Sequence, residues 1–177
     1  MGRRLFLLRH AKSNWKDPSL DDFDRPLNKR GREAAPAMGQ VMEDQGWTPG
    51  LILCSAAKRT QQTLDRVLAK LESNPELDIS EGLYLASASH ILKQIQAAPD
   101  TYDSLMVIGH NPGIEILAND LSAYGDVDVL NRLYQKYPTA ALSVIDFDVD
   151  KWRKVGVHKG KLEAFIRPKH IEEDRPK

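Results

Sequence analysis

"LFLLRHAKSNW", residues 5–15, decides how the rest of the chain is read. Four consecutive apolar residues, Leu5, Phe6, Leu7 and Leu8, predict a strand covered on both faces. A strand of that kind belongs to a parallel sheet packed between layers of helices. It runs straight into Arg9 and His10, a cation beside an imidazole. Polar groups at the end of a buried strand need a reason, and in open α/β sheets ligands sit at the carboxyl ends of the strands.

The same arrangement recurs downstream. "LILCS", 51–55, reads as a second buried strand, followed by a helix over 57–72 with Leu64, Val67, Leu68 and Leu71 at helical spacing. "SLMVIGH", 104–110, reads as a third, followed by a helix from 112 to about 121. Asn28 caps a helix over 29–45, with Met38, Val41 and Met42 on one face; Pro36 is expected to kink it or mark its true start. A weaker strand over 76–80, helices over 88–98 and 126–136, and two closing strands, "ALSVIDFDV" and "KLEAFIRP", complete the order. Strand and helix in alternation predict a three-layer α/β/α sandwich on a mostly parallel sheet, with a C-terminal antiparallel edge. Residues 1–167 read as one domain and 168–177 as a polar, frayed tail.

Composition narrows the function classes. The chain has 177 residues, with 25 basic against 25 acidic side chains. That balance argues against broad nucleic-acid or anionic-membrane binding, while a local basic pocket stays compatible with it. A single cysteine, Cys54, rules out an intrachain disulfide and fits a reducing compartment. No stretch reaches the roughly 18 apolar residues of a membrane span. The run after Arg3 and Arg4 is shorter than a signal-peptide core of about 7–15. The expectation is a soluble, cytoplasmic protein of undetermined oligomeric state.

Two histidines and two arginines, Arg9, His10, Arg59 and His110, fall at strand ends on one edge of this sheet. Singly each has an ordinary structural reading. Histidines at strand ends usually serve as hydrogen-bonded loop residues, Ser55 and Asn111 are plausible helix caps, and Pro112 suits a first helical position. Together they suit phosphoryl transfer. A neutral imidazole attacks phosphorus, arginine forks hold the equatorial oxygens, and helix N-termini add N–H donors. A protonated His110 would add charge. No HExxH, CxxC, GxxxxGK[ST] or GxSxG motif is present, so neither a metal nor another cofactor is expected. "DDFDR", 21–25, is an acidic cluster and reads as a solvated loop rather than a cation site.

These residues carry a family resemblance. "RHAKS", "SAAKRTQQT" and "GHNPG", each after a strand, resemble the histidine phosphatase superfamily, also called phosphoglycerate-mutase-like. "RHAKSNWKDPSLDDFDRPLNKRGREAAP" resembles, more narrowly, the small SixA-type phosphohistidine phosphatases. The resemblance runs from about Leu5 to Leu117 and includes Leu83 and Tyr84. It implies that His10 is the nucleophile, that Arg9 and Arg59 bind the phosphoryl group, and that His110 completes the pocket. It also places Ser13 near the phosphate and Arg25 at the mouth. Ala11 replaces the family's glycine, Ala56 replaces its usual proline, and Lys16 stands where mutase relatives have asparagine; Lys16 is read as facing solvent. For the general acid, Glu81 is the nearest candidate. The implied activity is a metal-independent phosphatase acting on phosphohistidine in a protein. A small-molecule phosphomonoesterase or mutase, and a weak phosphate-binding or protein-interaction module, are the alternatives.

Overall fold

A computed structural model describes residues 2–177. Seven strands and six α-helices alternate along the chain: β1 Arg3–Arg9, α1 Lys29–Asp44, β2 Leu51–Ser55, α2 Lys58–Leu68, β3 Glu76–Ser80, α3 Ala88–Gln96, β4 Ser104–Gly109, α4 Gly113–Leu121, β5 Ser122–Gly125, α5 Val127–Gln135, β6 Leu142–Phe147, β7 Gly160–Ile166 and α6 Ile171–Asp174. The sheet order is β3-β2-β4-β1-β6-β7-β5. β1 is sandwiched as its sequence predicts. Leu5 and Leu7 pack into the layer containing Ile114 and Leu117 of α4, while Phe6 and Leu8 pack against Met38, Val41 and Met42 of α1.

The expected fold class holds, with its antiparallel element differently placed. β6 is antiparallel to both β1 and β7, so it is the one reversed strand and it lies inside the sheet. The edge belongs to β5, which pairs parallel to β7. Four residues, Ser-Ala-Tyr-Gly, carry no strand periodicity; β5 exists because β7 offers it an open edge. Pro36 lies within α1 and does not mark its start. Helix α1 also approaches the loop after β1 closely at Gly31, where a Cβ would come within 2.2 Å of the Lys12 carbonyl oxygen.

The tail departs most from expectation. Instead of fraying, residues 168–170 form a 3-10 turn that leads into α6. Asp174 has a fully buried side chain. Its carboxylate accepts from the Arg167 backbone N–H at 2.9 Å and from Arg167 Nε and Nη2, both at 2.8 Å. Arg175 reaches back to Asp44 at the end of α1, 3.0 Å away. Composition alone made this segment look solvated; a buried ion pair to a residue seven positions away holds it down. Hydrogen bonds to a buried charge contribute about 1.5–3 kcal/mol each way. Asp174→Ala should therefore lower unfolding stability by about 2–4 kcal/mol in a urea titration. A loss below about 0.5 kcal/mol, the range of ordinary surface substitutions, would mean the tail is not held as described.

Candidate active site

Register brings the strand ends together. β4 stands between β1 and β2, pairing Arg9 with Gly109 and Cys54 with Ile108. The His10 backbone N–H donates to the Gly109 carbonyl at 3.0 Å, which sets His10 and His110 at adjacent strand ends. Their rings lie 5.4 Å apart, centroid to centroid. Ser55, at the end of β2, contacts His110 Nε2 through Oγ at 2.7 Å. Arg59, in the first turn of α2, is buried beside them. Thr63, one turn further on, accepts the Ala11 N–H at 3.0 Å and so ties the loop after β1 to α2.

Arg9, His10, Arg59 and His110 line a cavity of about 340 Å³ that also includes Lys12, Ser13, Trp15, Asp22, Arg25, Leu85, Asn111 and Thr139. Arg9, His10, Arg59 and His110 thus meet as predicted, and Ser13 and Arg25 are both buried in the cavity wall. Lys16 is exposed, as expected. Five buried nitrogens on these side chains have no hydrogen-bond partner: Arg9 Nε, Arg25 Nε and Nη1, Arg59 Nε and His110 Nδ1. Buried donors are normally satisfied, so a cluster of orphaned ones marks a place built for a ligand rich in acceptors. A phosphoryl group is such a ligand.

Both imidazoles are neutral. Burial pushes His10 down to about 4, helped by the Arg59, Arg9 and Arg25 charges and resisted by a hydrogen bond to Ala11. Burial, with His10 and Arg59 nearby, pushes His110 down to about 3. The expectation of a protonated His110 is thus corrected for the ligand-free protein: desolvation, with His10, Arg59 and Arg9 nearby, strips its proton. His10 Nδ1 lies 2.7 Å from the Ala11 carbonyl, which can only accept. The proton therefore sits on Nδ1, and Nε2 keeps a free lone pair. That is the tautomer a nucleophile needs.

Three expectations are corrected. Glu81, the candidate acid, is exposed at the start of a 3-10 turn and does not line the cavity, which the same segment reaches at Leu85 instead. Asn111 does not cap α4: its Nδ2 donates to Glu115 and to the Tyr137 carbonyl, at 3.2 and 3.1 Å, and Pro112 takes the cap position. "DDFDR" is not a purely solvated loop. Asp22 receives Arg59 at its carbonyl, 2.7 Å, and at Oδ2, 3.0 Å, and its carboxylate also bonds Arg25 and the Tyr84 hydroxyl. Burial opposes ionisation of Asp22, but the hydrogen bonds from Tyr84, Arg25 and Arg59 outweigh it and hold the carboxyl well below its usual range. Its sequence signal was present in "DFDR", where Asp22 and Arg25 stand three apart. Nothing local, however, said that Arg59 would meet it. Lys12 and Thr139 were also missed; both reach the cavity from loops.

A family model described as the histidine phosphatase superfamily, branch 1, matches residues 5–84. The crystal structure of the proposed phosphohistidine phosphatase SixA from Agrobacterium tumefaciens superposes with a TM-score of 0.79 at 30% identity, covering 94% of this chain and 98% of that one. The chain belongs to the histidine phosphatase superfamily. Its enzyme class is accordingly phosphatase, and its architecture is SixA-like. An uncharacterized Mycobacterium tuberculosis protein is 32% identical over 140 residues, 78% of this chain and 85% of the relative. An uncharacterized chloroplast protein of Arabidopsis thaliana is 38% identical over 132 residues; the match takes in 69% of this chain and 60% of the plant protein's length.

Two measurements probe this site. Because the His10 pKa is lowered, its neutral form persists down to about pH 5 and is lost only as pH falls through about 4. The acid limb of kcat/KM, which reports the free enzyme, should lie there, and the His10 ring should titrate near 4 by NMR. Titration close to the unperturbed value of about 6.5 would contradict the buried, arginine-flanked setting. Arg59→Lys should cut kcat/KM by about 10²-fold although the charge is kept, since an ammonium lacks the planar fork. Near-normal efficiency would reduce Arg59 to a structural partner of Asp22.

Proposed function

We propose that the protein is a metal-independent phosphatase that hydrolyses phosphohistidine on a protein through a phosphorylated His10. The observation carrying this reading is the state of Asp22. Among the described residues it is the one carboxylate lining the cavity, and Tyr84, Arg25 and Arg59 keep it ionised. It has no proton to give. A phosphomonoester expels an alkoxide and needs an acid. A phosphohistidine ring protonated on its second nitrogen leaves as neutral imidazole and needs none from the enzyme.

The sequence of steps follows from the residues. Arg9, Arg25 and Arg59 are the charge available to the phosphoryl oxygens. His10 Nε2 attacks phosphorus while the bond to the departing imidazole breaks and its electron pair stays on that nitrogen. Nδ1–H of His10 remains bonded to the Ala11 carbonyl, so phosphorylated His10 keeps a proton on its ring and is itself activated for the second displacement. Water then attacks phosphorus, the pair returns to Nε2, and the water's proton passes to phosphate or solvent. A bound dianion favours proton uptake by His110, which would then stabilise the transition state. Among the described residues no three His, Cys, Asp or Glu side chains converge to hold a metal ion. Three arginines supply the positive charge a metal would bring, which supports the metal-free reading. The mouth also favours a macromolecular substrate: Trp15 and Leu85 stand exposed at the rim, and Arg25 stacks on Trp15 with Cζ 3.2 Å from the ring centre. No helix is long and apolar enough to cross a membrane. A cytoplasmic location belongs to the same proposal, in keeping with the free, buried Cys54, whose thiol burial pushes up to about 12.

Trapping with an aryl phosphate should label His10, and His10→Ala should lose both label and turnover; EDTA should change neither in the wild type. His110→Ala should slow turnover about 10²–10³-fold yet still label His10. Glu81→Gln should leave both alkyl ester and phosphohistidine hydrolysis unchanged. Asp22→Asn should show no selective loss on alkyl esters. Such a selective loss would make Asp22 the acid, and label on His110 would reverse the two histidines.

A further inference from the structure

A second cavity adjoins the catalytic one. It is a groove of about 890 Å³ and shares Arg9, Lys12 and Thr139 with the catalytic pocket. Its lining holds seven arginines and lysines plus His170, against one carboxylate, Glu33. In a chain whose formal charge sums to zero this is a strong asymmetry, and the remaining surface carries a net negative charge as a result. Arg132 and Arg167 are committed to Asp174. Lys12, Arg30, Lys136 and Lys169 form no ion pair with the described residues. They come from four separate segments: the loop after β1, the first turn of α1, the residue after α5, and the docked tail.

We infer that this groove docks an acidic segment of the phosphorylated protein substrate, running away from the residue whose phosphoryl group reaches His10. The inference rests on the phosphohistidine-protein reading and adds the chemistry of the partner's surface. Three features favour a protein chain over the second phosphate of a small substrate. The four unpaired cations are exposed and spread over the groove, whereas a small-molecule subsite needs convergent, buried donors. Between them lie Ala34, Ala37, Pro138 and Pro168, an apolar floor suited to backbone and aliphatic stems. The volume exceeds the catalytic cavity more than twofold. Electrostatics also orients the encounter. An acidic partner is repelled by the net negative remainder of the surface and drawn to the one face that leads to Arg9.

The test separates docking from catalysis. Two phosphohistidine peptides of equal length are compared, one with Asp and Glu around the histidine and one with Ser and Gly. The unphosphorylated acidic peptide is also titrated by fluorescence anisotropy. The wild type should bind the acidic peptide, lose it as salt rises, and hydrolyse the phosphorylated acidic peptide with the higher kcat/KM. Arg30→Glu, Lys136→Glu and Lys169→Glu together should weaken binding by roughly tenfold or more, the sum expected of three exposed ion pairs, and erase the preference. Aryl phosphate turnover should be unchanged in that variant, which also reports its folding. Equal binding by wild type and variant, no peptide preference, or tighter binding of a single-stranded DNA oligonucleotide would overturn the inference. Salt-sensitive binding lost in the variant, with neither phosphohistidine peptide hydrolysed, would uphold the docking surface and reject the phosphohistidine reading instead.

Discussion

Parallel pairing of β1 with β4 is the constraint on which the site depends. Setting Arg9 opposite Gly109 puts two histidines, one after each strand, at the same height above the sheet. The His10 N–H to Gly109 carbonyl bond extends that pairing one residue beyond the strand. Everything else is built onto this pair: β2 brings Ser55 beneath His110, α2 brings Arg59, and Thr63 anchors Ala11. A one-residue slip between β1 and β4 would turn the apolar side chains of β1 to opposite layers and separate the two rings. The hydrophobic core and the geometry of the candidate site thus specify the same register.

Burial then sets the chemistry. The arginines and imidazoles lie in one small pocket where burial weakens their hydration, and the result is neutral histidines beside charged arginines. The cost of leaving several donors without partners is the usual signature of a site that trades stability for function. Asp22 offsets part of that cost by occupying the forks of Arg25 and Arg59. Because it is ionised, it shapes the pocket without a proton of its own to give, which is the feature the phosphohistidine proposal rests on.

The docked tail links stability to the wider surface. Asp174 holds Arg167 and with it the segment carrying Pro168 and Lys169, which forms one wall of the basic groove. An ion pair to a buried carboxylate outside the candidate site therefore maintains the surface that continues from it.

The buried apolar run ending in Arg9 and His10, the repeated strand-to-helix pattern, and the quartet with Arg59 and His110 were legible in the sequence. Each depends on local periodicity and on where a strand stops, which neighbouring residues determine. Ser13 and Arg25 entered through resemblance. Sequence could not place β6 inside the sheet or create β5 at its edge, since strand order follows from which open edge each segment finds. It could not tell that Asp22 meets Arg59, that Glu81 stays outside, or that Asp174 pins the tail, because these are contacts between segments distant in sequence. The protonation states belong to the same class. The neutral forms of His10 and His110 come from desolvation by walls drawn from β1, α2, β4 and the loops above them, and only the assembled fold provides those walls.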